Sequence, residues 1–108
     1  MARRVERGDL WLCRFAPPDK RRPVLVLSRQ AALDHLRTAV VAPISTTAHG
    51  VPSEVPVGPE QGLKAESVVN LDHLLTVPQT ELRHWLGRLD ERRMAAVCEA
   101  LAIAMGCR

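Results

Sequence analysis

Apolar positions along this chain keep a strand-like spacing through most of its length and change to a helical one only near the end. Residues 9–15 and 23–28 are short apolar runs set between Gly8 and the turn-forming stretch APPDK, which predicts two strands joined as a hairpin. From Val24 to Leu27 every position is apolar rather than every second one. The second strand is therefore predicted to be covered on both faces and to lie centrally. A polar, moderately helical bridge over residues 29–37 leads to a third, β-branched run at 38–44, closed by Ser45, Thr46 and Thr47. Gly and Pro then recur so densely between His49 and Gly62 that only a short edge strand near 54–57 fits. Residues 67–71 and 74–77 read as further short strands, and 79–82 as a helical turn after Pro78.

The C-terminal pattern differs. Beyond Asp90, a good N-cap, Met94, Val97, Leu101 and Met105 recur at helical spacing among small alanines, and Gly106 closes the run. This predicts one amphipathic helix packed on a sheet. No repeat, low-complexity tract or second core interrupts the chain, so residues 1–108 are expected to form a single domain. Its predicted fold is mainly β with α, a curled antiparallel sheet or small barrel carrying a C-terminal helix.

Composition narrows this picture little. A chain of 108 residues is long enough to bury a core without staples, and a net charge of +3 permits a polyanionic partner without demanding one. Cys13, Cys98 and Cys107 form no CxxC pair, which argues against a disulfide framework or a zinc site. No apolar run reaches the roughly 20 residues that span a bilayer, and the N-terminus lacks a signal-peptide core, so a cytoplasmic location is expected.

Candidate chemistry gathers at two strand ends. Lys20, Arg21 and Arg22 precede Pro23, which fixes its own φ and restricts Arg22 to extended geometry, holding one arginine at a strand mouth. The plain alternative is a solvated basic elbow. Ser45 is the first polar residue after a buried run, and its ordinary role would be an ST-turn to nearby backbone. Thr46 and Thr47 are neighbouring hydroxyl candidates. A guanidinium and a hydroxyl at adjoining strand ends could converge on one phosphate, because the guanidinium fork matches phosphate oxygens. His49 and His73 are candidate proton carriers, since imidazole titrates near pH 6.5, although an ordinary surface or hydrogen-bonded histidine is the better reading. His35 and His84 sit in polar segments expected to be exposed. Scattered histidines, with no HExxH, acidic cluster, GxGxxG or P-loop, point to a site with neither metal nor cofactor. With Tyr absent and Trp11 expected in the core, a broad base-stacking platform is a poor fit.

These residues carry a resemblance. The stretches RGDLWLCRF, RRPVLVLS, VAPIST, EVPV and GLKAESVVNLDHLLTV, followed by GRLDERRMAAVCEALAIAMG, resemble in order the blocks of the MazF/PemK family of toxin endoribonucleases from type II toxin–antitoxin systems, over nearly the whole chain. The resemblance implies an SH3-like small barrel, related in fold to the gyrase poison CcdB, and a homodimer. It also implies metal-independent, sequence-specific cleavage of single-stranded RNA, with mRNA as the substrate. Attack by the RNA 2′-OH would leave 2′,3′-cyclic phosphate and 5′-OH ends.

By the same matching the catalytic arginine falls on Arg22 and the catalytic hydroxyl on Ser45, with Thr46 one register away. Lys20, Arg21, Thr47 and His49 would help hold RNA. His73 stands where relatives commonly carry a glutamine after an acidic residue, a place for a further catalytic or RNA-binding group. The loop APPDKR is shorter than the family's usual Gly- and Ser-containing connection and implies a more open groove. The implied partners are RNA, a second copy of the chain and a MazE-like antitoxin, through which alone operator DNA would be reached. A CcdB-like gyrase poison without nuclease activity is the competing reading on the same fold.

Overall fold

In the computed structural model, which describes residues 3–18 and 20–108, seven strands form one twisted antiparallel sheet. Asp19, in the predicted turn, lies outside the described residues. The hairpin forms as the turn chemistry implies. Strand β1 (Asp9–Arg14) pairs antiparallel with β2 (Arg21–Val26), from Leu10↔Leu25 to Arg14↔Arg21. The second strand starts earlier than its apolar run, because the ladder continues through the exposed Arg21 and Arg22. Val24, Leu25 and Val26 are all fully buried, as expected of a strand covered on both faces. A short helix α1 (Gln30–His35), which buries Leu33, leads into β3 (Thr38–Ser45).

The spine of the sheet is β3. One side pairs with β2, from Val24↔Pro43 to Val26↔Val41. The other side is shared. β4 (Glu54–Val57) pairs with β5 (Ser67–Asn70), β5 meets β3 at Ile44↔Val69 and Ser45↔Val68, and β6 (Leu75–Pro78) meets it from Thr38↔Pro78 to Val41↔Leu75. Pro43, which has no N–H to donate, falls in the interval between the β6 and β5 ladders, where a central strand can tolerate it. Pro56 lies on β4, the edge strand anticipated there.

One strand escapes the periodicity. β7 (Leu82–Arg88) pairs with β1 at the sheet's other end, whereas this segment reads as exposed and polar in sequence. Its register against β1 slips between Leu10 and Trp11 and again between Leu12 and Cys13. Each slip resets the alternation that a half-buried strand would otherwise write into its sequence. The expected turn after Pro78 is a single 3₁₀ turn, Gln79–Glu81.

Alternation along β1 and β2 feeds two cores. Leu10 and Leu25 face one, with Ala42, Ile44 and Val69, closed by helix α2 (Glu91–Ala104) through Val97 and Ala100. Trp11, Cys13, Val24 and Val26 face the other, with Val41, Val77 and Leu82, closed by Leu33 of α1. Asp90 caps α2 by accepting from Arg93 N at 2.8 Å. Met105, expected on the buried stripe, lies beyond the last helical residue and is exposed. The backbone ladders do not close into a ring. Instead the 3₁₀ turn Pro59–Gln61 packs on β7 through two glycines: a Cβ on Gly62 (φ +99°) would stand 2.1 Å from Leu86 O, and one on Gly87 2.2 Å from Gln61 O. That contact links the β4–β5 side of the sheet to β7 at its other end.

Candidate active site

Register sets the two principal candidates at the same end of the β2–β3 pair. Residue numbers in the β2–β3 ladder advance on one strand as they fall on the other, from Val26↔Val41 to Val24↔Pro43. Counting two residues further along both strands brings Arg22 level with Ser45, at the end where β3 leaves β2 for β5. Opposed residues of an antiparallel pair share a face, so both project from the face that carries Val24 and Val26. Arg22 is exposed, and its other neighbour is the buried Cys13. The ion pairs of the described residues engage Arg4, Arg14, Arg88 and Arg108, leaving Lys20, Arg21 and Arg22 without a carboxylate partner among those residues. Lys20 reaches this mouth in a left-handed conformation, φ +57°.

Ser45 does form the ST-turn that its position implied: its Oγ accepts from Thr47 N at 3.0 Å. That bond uses an oxygen lone pair and leaves the hydroxyl proton to be donated, so the turn orients the group without consuming it. Thr46 and Thr47 are exposed just beyond. The loop that follows is held by a residue the sequence reading passed over. The Glu54 carboxylate, at the start of β4, accepts from His49 N at 2.9 Å and from Gly50 N at 3.0 Å. His49 is thereby fixed by its backbone while its imidazole stays exposed.

His73 is also exposed, in the turn between β5 and β6. That turn is tied down by Ser53, whose hydroxyl donates to Asp72, and by Asp72 N, which donates to Asn70 Oδ1 at 2.9 Å. It projects from the β5–β6 side of β3, opposite the side that β2 occupies.

A second polar feature lay outside the sequence reading. Asp9 is fully buried, and its carboxylate accepts from Glu6 N (2.9 Å), Trp11 Nε1 (3.2 Å), Trp85 Nε1 (3.3 Å) and Arg88 Nε (3.0 Å). Arg88 also bonds Glu6, and these two carboxylates hold its guanidinium above the usual arginine range. In sequence Asp9 is only the polar first residue of a strand, and its partners lie up to 79 positions away. Cys13 carries a buried thiol whose pKa is pushed up to about 11, by burial first and by Glu81 second. Cys98 and Cys107 are exposed thiols. Among the described residues no three His, Cys, Asp or Glu side chains gather as metal ligands, and no helix is long and apolar enough to cross a membrane.

Residues 6–105 match the family model described as PemK-like, MazF-like toxin of type II toxin–antitoxin system. A probable endoribonuclease, MazF5 of Mycobacterium tuberculosis, is 46% identical over 102 residues, which cover 94% of this chain and 93% of that protein. Among solved structures, the Mycobacterium tuberculosis toxin MazF-mt6 superposes with a TM-score of 0.83 at 37% identity, covering 91% of this chain and 96% of that one. An endoribonuclease in complex with its cognate antitoxin, from a mycobacterial species, gives 0.85 at 29% identity over 96% of this chain and 97% of that one. These likenesses point to ribonucleases and do not favour the gyrase-directed reading.

Proposed function

Because the chain belongs to the PemK-like, MazF-like toxins of type II toxin–antitoxin systems and is an endoribonuclease of that family, we propose that it cuts single-stranded mRNA at a defined sequence, without a metal, from a site built on Arg22 and Ser45. The observation that supports this assignment is the β2–β3 register, which, continued two residues past its last pair, would set Arg22, without a carboxylate partner among the described residues, beside the Ser45 hydroxyl, whose oxygen accepts from Thr47 N and whose proton can still be donated.

In the proposed reaction the 2′-OH of one nucleotide attacks its own 3′-phosphate. The P–O5′ bond breaks, leaving a 2′,3′-cyclic phosphate and a 5′-OH. The protein must set an in-line geometry, stabilise the extra charge on the phosphorane and manage two proton movements. Arg22 supplies a planar, permanently charged fork for the nonbridging oxygens, and Ser45 donates to one of them. A guanidinium is a poor base, so Arg22 acts here as a charge clamp. Lys20, Arg21, Thr47 and His49 guide the flanking phosphates, with Thr46 and His73 at the margin as further hydroxyl and imidazole.

The same reading makes the chain one catalytic domain that works as a homodimer in the cytosol. A MazE-like antitoxin neutralises it and links it to operator DNA. The structure of a mycobacterial endoribonuclease with its cognate antitoxin supports this partnership. The test is cleavage of a long mixed RNA by purified protein in EDTA, with the cut ends mapped. Wild type is expected to leave cyclic-phosphate ends at one recurring sequence, and Arg22→Ala, an exposed change, to remain folded and lose cleavage. Full cleavage by Arg22→Ala would overturn the assignment of the site.

A further inference from the structure

A groove of about 720 Å³ between the N-terminal segment and β7 takes no part in the chemistry above. Both tryptophans line it, in a chain whose only other aromatic side chain is Phe15. Trp11 is buried in the floor, whereas Trp85 is half-buried. The Trp85 ring is fixed from behind, since its Nε1 donates to the fully buried Asp9 at 3.3 Å. Over the face of the ring lies the exposed guanidinium of Arg3, 3.7 Å from the ring centroid. Arg83 and His84 stand on the rim, and neither Arg3 nor Arg83 has a carboxylate partner among the described residues.

A rigid indole, a planar cation already stacked on it and a second cation beside it form a surface suited to a flat neutral ring joined to a negatively charged group. A nucleotide has that chemistry. Position strengthens the match. Trp85 opposes Trp11 on one side of β1, and Arg22 opposes Cys13 on the other, so all four project from one face of the sheet. Trp85 and Arg22 are thus two inter-strand spacings apart, on the order of 10 Å, and about 7 Å apart along the strands.

We propose that Trp85, with Arg3 and Arg83, forms a stacking subsite that holds one base of the single-stranded RNA next to, and outside, the pocket of the scissile phosphate. The proposal rests on the endoribonuclease reading and adds a substrate contact to it. A base entering the groove replaces or sandwiches the Arg3 guanidinium, and Arg83 meets the attached phosphate.

The experiment labels the protein with 5-fluorotryptophan, assigns its two ¹⁹F resonances with Trp85→Phe, and titrates a short oligonucleotide of the mapped cut sequence made 2′-deoxy throughout, which cannot be cleaved. The Trp85 resonance is expected to move and the Trp11 resonance to stay. Trp85→Leu is expected to weaken binding and raise KM about ten-fold while kcat at saturation stays within about two-fold, and Trp85→Phe to restore most of the affinity. Arg83→Ala, an exposed change, is expected to flatten the salt dependence of binding by about one unit of slope. Binding that leaves Trp85 unmoved and Trp85→Leu unimpaired would overturn the subsite. So would a Trp85 resonance that follows protein concentration instead of oligonucleotide, which would make the groove an interface between copies. In either case continued cleavage would leave the endoribonuclease reading intact, whereas wild type that neither binds nor cuts RNA would refute both.

Discussion

Removing the Asp9 carboxylate tests how much of this fold hangs on one buried group. Asp9→Ala deletes the acceptor for Glu6 N, for the indole N–H groups of Trp11 and Trp85, and for Arg88 Nε. These losses are unequal. Trp11 is 4% exposed, so its indole N–H is left without water or partner, and the half-buried Glu6 amide fares little better. A stranded buried donor costs about 1–3 kcal/mol. Trp85 and Arg88 lie nearer solvent and can rehydrate; with its side chain 43% exposed and Glu6 still beside it, Arg88 adds about 1 kcal/mol at most. The sum for Asp9→Ala is about 2–7 kcal/mol, centred near about 4 kcal/mol. A domain of this size commonly has about 5–15 kcal/mol in hand, so the variant is expected to fold but to melt early. Urea unfolding followed by tryptophan fluorescence should show a midpoint lowered by about 2 M, given slopes of about 1–3 kcal/mol per molar. Arg4→Ala, which breaks an ion pair with Asp34 that is exposed on both sides, is the control, with an expected shift in midpoint far smaller than that of Asp9→Ala. A midpoint for Asp9→Ala that matches the Arg4→Ala control would refute the reasoning, because the carboxylate would then contribute no more than a surface ion pair.

Two further outcomes follow from the same geometry. Ser45→Ala is expected to lower kcat by about 10²–10³, the usual cost of one donor to a developing oxyanion, while Thr46→Ala stays within about three-fold; single-turnover cleavage decides between them, and the reverse order would move the catalytic hydroxyl to Thr46. The Cys13 thiol ionises near pH 9.0 when unfolded and at about 11 when folded, so its contribution to stability is complete below pH 9 and is lost as pH rises towards 11, by at most about 2.7 kcal/mol. With no tyrosine in the chain to titrate in that window, Cys13→Ala should remove most of the alkaline slope in unfolding experiments, and an unchanged slope would reject the assignment.

Much of the architecture is written locally. Unbroken apolarity from Val24 to Val26 announces a strand buried on both faces, Pro56 an edge, and Asp90 a helix start, because each effect is decided within a few residues. The short basic and hydroxyl segments around Arg22 and Ser45 were legible too, as groups able to converge on one phosphate, but not the strand register that relates them. Strand β7 was not legible, since its two slips against β1 erase the alternation by which a strand is recognised.

By itself the sequence determined which segments extend, where the chain turns, and which side chains are able to grip a phosphate, all of which depend on local backbone sterics and the period of apolar residues. Tertiary structure alone decided that Arg22 and Ser45 lie at the same end of the β2–β3 pair, that Glu54 holds the loop bearing His49, and that Asp9 binds two indoles and an arginine as far off as position 88. Those pairings arise from strand register and burial across the whole sheet. No short window contains the distant partner that makes a buried carboxylate affordable or an exposed arginine useful.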